Sequence, residues 1–124
     1  MLALGSDQGG YALKQEIIKY LEEREIPYKD FGSYNEESVD YPIYGKAVAK
    51  SVASGECEKG IRAALCTDCF MAEATRLHND ANILALGGRV VGPGLAVKIV
   101  DTFLNTPFSG EERHQRRISM IEEE

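Results

Sequence analysis

The chain has 124 residues, 44% of them hydrophobic and 27% charged, which is room for one packed domain and too apolar for a disordered segment. Twenty acidic against fourteen basic residues give a net charge of -6, which repels a nucleic-acid backbone, and no apolar run approaches the ~18 residues of a membrane span. Three cysteines, an odd number, exclude a closed disulfide framework, and without a signal-like N-terminus the sequence reads as a reduced, soluble, cytoplasmic protein.

Leu2-Ala3-Leu4-Gly5 is a short apolar run that stops at the polar, glycine-rich Ser6-Asp7-Gln8-Gly9-Gly10, a strand followed by a loop. From Tyr11 to Arg24 the apolar Leu13, Ile17, Ile18 and Leu21 recur at helical spacing, with Lys14, Gln15, Glu16, Lys19, Glu22 and Glu23 on the other side. Pro27 closes this helix, and Tyr28 to Gly32 alternates as a short strand. A polar loop over 33–40 precedes a helix that starts at Tyr41-Pro42, carries Tyr44, Ala47, Val48 and Val52 on its apolar face, and stops at Gly55. Ile61 to Cys66 has the length and apolarity of a strand, and Thr67-Asp68 stands in N-cap position before a helix from Cys69 to Leu77.

Ile83 to Leu86, ending at Gly87-Gly88, is the continuous apolar strand expected of a parallel sheet covered on both faces. Pro93-Gly94 precedes a helix over Leu95 to Leu104 with Ala96, Ile99, Val100 and Phe103 inward. Residues 111–124 are charged, with Ile118 and Ile121 as apolar anchors, and read as a surface helix or arm of the single domain 1–124. Strand-helix repetition without hairpin signals predicts a three-layer, Rossmann-like or flavodoxin-like α/β fold, a parallel sheet with helices on both faces. Ligands of such sheets bind beyond the carboxyl ends of the strands, which here are Gly5 to Gln8, Gly32 to Tyr34, Cys66 to Asp68 and Gly87 to Arg89, with Asp40 and Tyr41 in reach.

The segments G-S-D-Q-G-G-Y-x-L-K, D-F-G-S-Y-x-E-E-S-V-D-Y-P, I-R-A-A-L-C, H-N-D-A-N-I-L-A-L-G-G-R and R-H-x-R-R follow one another in this order. In these five blocks, from Met1 to about Ile121, the sequence resembles the ribose-5-phosphate isomerase B and galactose-6-phosphate isomerase family. The resemblance implies an aldose-ketose isomerase that works through an enediol on a five- or six-carbon sugar phosphate, without metal or organic cofactor. It also implies a homodimer or homotetramer whose active site is completed across the subunit interface.

By the same resemblance His78 is the histidine that assists ring opening and Asp7 the carboxylate that contacts sugar hydroxyls. Gln8, Tyr41 and Asn79 line the substrate, and Arg89, Arg113 and Arg117 hold its phosphate. Forked guanidinium donors suit phosphate oxygens, and Arg113 and Arg117, four apart, share one side of a helix.

Two departures stand out. Gln8 occupies a place where the family usually has histidine, so a neutral amide replaces a group that titrates near neutral pH. Between Lys59 and Ile61 the family has a further strand, a Gly-Thr-Gly-rich loop and a helix, roughly twenty residues that are missing here. This leaves about four strands instead of five and, by resemblance, removes the cysteine base and the backbone oxyanion donors. Cys66 is then the one cysteine at a strand end and the substitute base to consider. The competing reading is a catalytically inactive shortened form of the fold, natural or engineered, that at most binds a phosphate sugar. Its oligomer could be altered or strand-swapped, because a gap in a sheet exposes edges.

Each motif also has a structural reading. Cys66-Thr67-Asp68-Cys69 is a C-x-x-C at a strand-to-helix turn, where the helix N-terminus could support redox chemistry, while zinc would need two more ligands, with Cys57 and His78 or His114 as candidates. Asp7 can cap the first helix, the C-terminal arginines can form a solvated face, and Tyr34, Tyr41 and Tyr44 can simply pack.

Overall fold

The computed structural model describes residues 1–37, 40–54 and 61–123. Along the chain these form β1 (Leu2–Leu4), α1 (Tyr11–Glu23), β2 (Tyr28–Asp30), α2 (Tyr41–Ser54), β3 (Ala63–Leu65), α3 (Cys69–Asn79), β4 (Ile83–Ala85), α4 (Pro93–Asn105) and α5 (Glu112–Glu122). The expected helix stop at Gly55, together with Cys57 and the break at Lys59, lies outside the described residues.

The alternation of strand and helix produces a parallel α/β arrangement, as the sequence predicts. Its four strands pair two and two: β1 with β2, Leu2 opposite Tyr28 and Leu4 opposite Asp30, and β3 with β4, Ala63 opposite Ile83 and Leu65 opposite Ala85. Leu2 donates its N–H to the Pro27 carbonyl at 3.1 Å and Leu4 accepts from the Phe31 N–H at 2.8 Å. Backbone groups alternate sides along a strand, so those of Ala3 and Gly5 face away from β2. On the other ladder Ile83 donates to the Arg62 carbonyl at 3.1 Å and Ala85 accepts from Cys66 at 3.2 Å, which turns Leu84 and Leu86 away from β3. A cavity of about 790 Å³ lies between β1 and β4 and separates the ladders.

The helices hold the two ladders together. α4 packs against both α1 and α3, and Leu21, Ala72, Ala96 and Ile99 are completely buried where they meet. Leu13, Ile17, Ile18 and Leu21 of α1, and Ala96, Ile99, Val100 and Phe103 of α4, are the inward residues that helical spacing selects. Each of these side chains except that of Ala96 contributes about 1.5–3 kcal/mol on burial. Leu2, Leu4, Leu84 and Leu86 pack onto this core from the strands. α2 covers β1 on the opposite face: a Cβ at Gly5 would stand 2.7 Å from Val48 Cγ2, so only glycine lets the helix approach this closely.

Two sequence expectations are corrected. Lys14, assigned to the solvated side of α1, is 4% exposed, because its position lies beneath the loop that follows β2. Its ammonium pairs with Asp30 at 2.7 Å and donates to the Ser33 carbonyl, which makes burial of the long side chain tolerable. On α5, Ile118 is buried as an anchor but Ile121 is exposed, and His114, one turn before Ile118, is the second buried residue of that face.

Candidate active site

The sequence-predicted residues fall into two groups. The first lies at the carboxyl ends of β1 and β4. Asp7 bends the loop after β1 by accepting the Gly10 N–H on Oδ1 at 3.0 Å, directly ahead of α1. Gly88 in the loop after β4 touches this turn backbone to backbone: a Cβ there would lie 2.5 Å from the Gly9 carbonyl oxygen. Only glycine allows the contact, and it brings Arg89 beside Asp7. A Cβ at Gly9 would sit 3.4 Å from Asp7 Oδ1 and 3.5 Å from Arg89 Nε, so carboxylate and guanidinium flank the same residue. Arg89 is exposed, and Asp7, Gln8, Lys14, Tyr41 and Arg89 are among the polar residues that line the cavity, with the leucines of the strands.

His78 and Asn79 form the second group, with Arg113 and Arg117. α3 runs back antiparallel to the strands, so its last turn places His78 and Asn79 at the amino ends of the strands, away from Asp7. There the His78 ring stands 4.5 Å from that of His114 on α5, tilted by 37°, and Arg113 and Arg117 project from exposed positions of the same helix. Arg113 is held by Glu111 at 2.8 Å. Burial, then the neighbouring His78 and Arg113, push His114 below the ordinary imidazole range, while Ser109 Oγ meets its Nδ1 at 2.7 Å. A single chain therefore keeps Asp7 and Arg89 apart from His78, Arg113 and Arg117.

The rest of the histidine motif is structural. Asp80 terminates α3 in the left-handed conformation, with φ 47°, and Asn82 Oδ1 accepts the Arg62 N–H at 2.9 Å, fixing the entry to β3. That leaves the exposed His78 and Asn79 available to a ligand. Cys66 is 1% exposed within the core, and burial, reinforced by Asp68, pushes its thiol up. Both effects oppose thiolate formation and argue against Cys66 as a base. Asp68 caps α3, accepting the Met71 N–H at 2.8 Å, as expected of its N-cap position.

Sequence spacing does not mark Lys14, which lines the cavity, as a site residue. Its signal is Asp30: two opposite charges that each sit on a half-apolar element pair when those elements pack. A second overlooked group is the Ser6 hydroxyl, buried without a hydrogen-bond partner among the described residues and set in the cavity wall.

Comparison with known proteins gives a consistent picture. The family model described as Ribose/Galactose Isomerase matches residues 2–61 and 58–121, in two segments that overlap at residues 58–61, between α2 and β3. Ribose-5-phosphate isomerase B of Escherichia coli is 39% identical over 139 aligned positions, covering 97% of this chain and 93% of that protein. Because the alignment is longer than the 124-residue chain, the relative carries residues with no counterpart here. Among solved structures, the ribose 5-phosphate isomerase of Thermotoga maritima superposes with a TM-score of 0.92 at 44% identity, over 98% of this chain and 96% of that one. Ribose-5-phosphate isomerase B of Clostridium thermocellum does so with a TM-score of 0.91 at 47% identity, over 97% and 93%.

Proposed function

The chain belongs to the ribose/galactose isomerase family, and from that membership we propose that it acts on a five- or six-carbon aldose phosphate at a site shared by two copies of itself. The observation that carries this reading is the pairing of Asp7 and Arg89 around Gly9, a hydroxyl acceptor beside a phosphate donor at the mouth of one cavity. Arg113 and Arg117, four residues apart on α5, complete the phosphate clamp from a second copy, with His78 and Asn79 beside them. The C2 symmetry of a homodimer brings the two separated groups together twice.

In this arrangement His78 delivers a proton to the ring oxygen as the anomeric hydroxyl loses its own, which opens the sugar. Isomerisation then takes the proton from C2 to C1 through an enediolate, with Asp7 holding the sugar hydroxyls. Among the described residues Asp7 is the one carboxylate in the cavity wall, and Cys66 is buried away from it. A missing base and missing oxyanion donors together slow the chemical step by about 10⁴-fold or more. Binding is thus retained more fully than turnover. This favours as second reading a sugar-phosphate binder without turnover.

The test is proton NMR of ribose 5-phosphate in deuterated buffer with the mass-verified chain, beside the Escherichia coli relative. Expected are saturable binding that Arg89→Ala weakens at least about tenfold, and formation of ketose at least about 10⁴-fold slower than with the relative. Binding with no turnover establishes the second reading. Absence of binding refutes both, and turnover equal to the relative's refutes the missing base.

A further inference from the structure

We propose that the slot between β1 and β4 binds an extended segment of a separate polypeptide as a central parallel strand, with the amphipathic helix that follows it lying on the open face of β3 and β4. Among the described residues the two sides of the slot are unpaired strand edges. Ala3 and Gly5 on one side, and Leu84 and Leu86 on the other, turn their N–H and C=O groups into it. One inserted strand meets both rows at once, whereas addition to an outer edge satisfies only one. The slot is lined above and below by apolar side chains, Leu13 and Ile17 of α1 against Val48 and Val52 of α2, so the inserted residues are apolar on both faces. The buried Ser6 hydroxyl at its carboxyl end acquires a partner from the turn after the strand.

The helix follows from the neighbouring surface. Ala64 and Cys66 point into the core, so Ala63 and Leu65 point to the other face, where Ala85 joins them. Leu65 is 63% exposed there, and Phe70 at the start of α3 is 79% exposed. α2 packs against β1 and leaves this ladder uncovered among the described residues. The family match also divides in two at this point, over residues 2–61 and 58–121, and the relative aligned over 139 positions carries residues that this 124-residue chain lacks.

The occupant is a separate polypeptide because the connection available within the chain is too short. From the end of α2 to the start of β3 only residues 55–62 intervene, fewer than the ≥ 10–12 of a crossover with its helix. The net charge of -6 favours an occupant with basic flanks.

The probe is a synthetic peptide, Lys-Lys-Val-Ile-Val-Ile-Gly-Gly followed by about ten residues of Leu/Ala/Lys amphipathic helix, added to the intact chain. Amide hydrogen exchange is read by NMR. Exchange at Ala3, Gly5, Leu84 and Leu86 is expected to slow together by at least about tenfold at saturation, and not with a peptide carrying proline in place of both isoleucines. Unchanged exchange, or slowing at β1 or β4 alone, overturns the proposal. So does exchange in the free chain that is already slow and slows further with chain concentration, since a second copy then fills the slot. The measurement uses neither Asp7 nor Arg89, so its failure leaves the sugar-phosphate reading untouched.

Discussion

Replacing Lys14 by methionine tests how the loop after β2 is held. The lysine is 4% exposed, Asp30 is 22% exposed, and 2.7 Å separates ammonium from carboxylate. At an effective dielectric of 20 this separation corresponds to roughly 6 kcal/mol of attraction, most of it offset by desolvation of the two charges. Methionine fills a similar volume but leaves the Ser33 carbonyl without its buried donor, at about 1–3 kcal/mol, and Asp30 without its cation. The expected net loss is about 2–4 kcal/mol.

Urea unfolding followed by circular dichroism reads this loss as a fall of about 1–2 M in the midpoint. The double variant Lys14→Met/Asp30→Asn should recover at least about 1 kcal/mol of it, because the amide no longer carries an unpaired charge and its oxygen still accepts the Gly32 N–H, now at 2.9 Å. A loss below about 0.5 kcal/mol for the single variant, or no recovery in the double, refutes the claim that a buried ion pair anchors the loop after β2.

Mixing Arg89→Ala chains with Arg113→Ala/Arg117→Ala chains, each too weak to bind ribose 5-phosphate alone, should restore about a quarter of the binding sites by calorimetry, the share left intact in random C2 dimers; no restoration refutes the two-copy site. Cys66 should react with maleimide at least about 100-fold more slowly than the half-buried Cys69 at mildly alkaline pH, since burial raises its pKa and covers the sulfur; peptide mapping showing equal rates contradicts that burial. Because the folded-state pKa of His114 lies below its unfolded value, the unfolded chain binds more protons below about 6.5, and stability falls as pH drops through that value. His114→Gln should flatten this part of the stability curve, and an unchanged slope in urea titrations at several pH values assigns the effect elsewhere.

Much of the architecture was readable because local signals agreed. Leu13, Ile17 and Leu21 keep helical spacing, Pro27 and Gly32 bracket β2, and Asp68 stands where a cap belongs, so element order needed no long-range information. Lys14 was misplaced because periodicity assigns a side to a residue but does not say what covers that side. Ile121, expected as an anchor, is exposed for a related reason: α5 buries the face that carries His114 and Ile118, and hydrophobicity alone ranks an isoleucine above a histidine. The family resemblance names the candidate site residues, yet only the fold separates Asp7 and Arg89 from His78 and Arg113. Spacing in the sequence carries no sign of which end of the strands a helix terminus reaches.

The loss of a central strand would be expected to divide a parallel sheet, and here the ladders are divided while the domain is not. Continuity has passed from backbone hydrogen bonds to the helix layer, where Leu21 of α1 and Ile99 of α4 are fully buried beneath the slot. The candidate site residues hang from parts that this layer still positions, Asp7 and Arg89 from the loops after β1 and β4, and His78 from the end of α3 packed on α4. On the proposed reading the proton-transfer groups belong to the centre of the sheet, and among the described residues no side chain of the helix layer stands in that place. That reading therefore predicts that binding and chemistry respond differently to the same missing residues, because in an α/β sheet the rim is held by helices whereas the middle is held by its neighbouring strands.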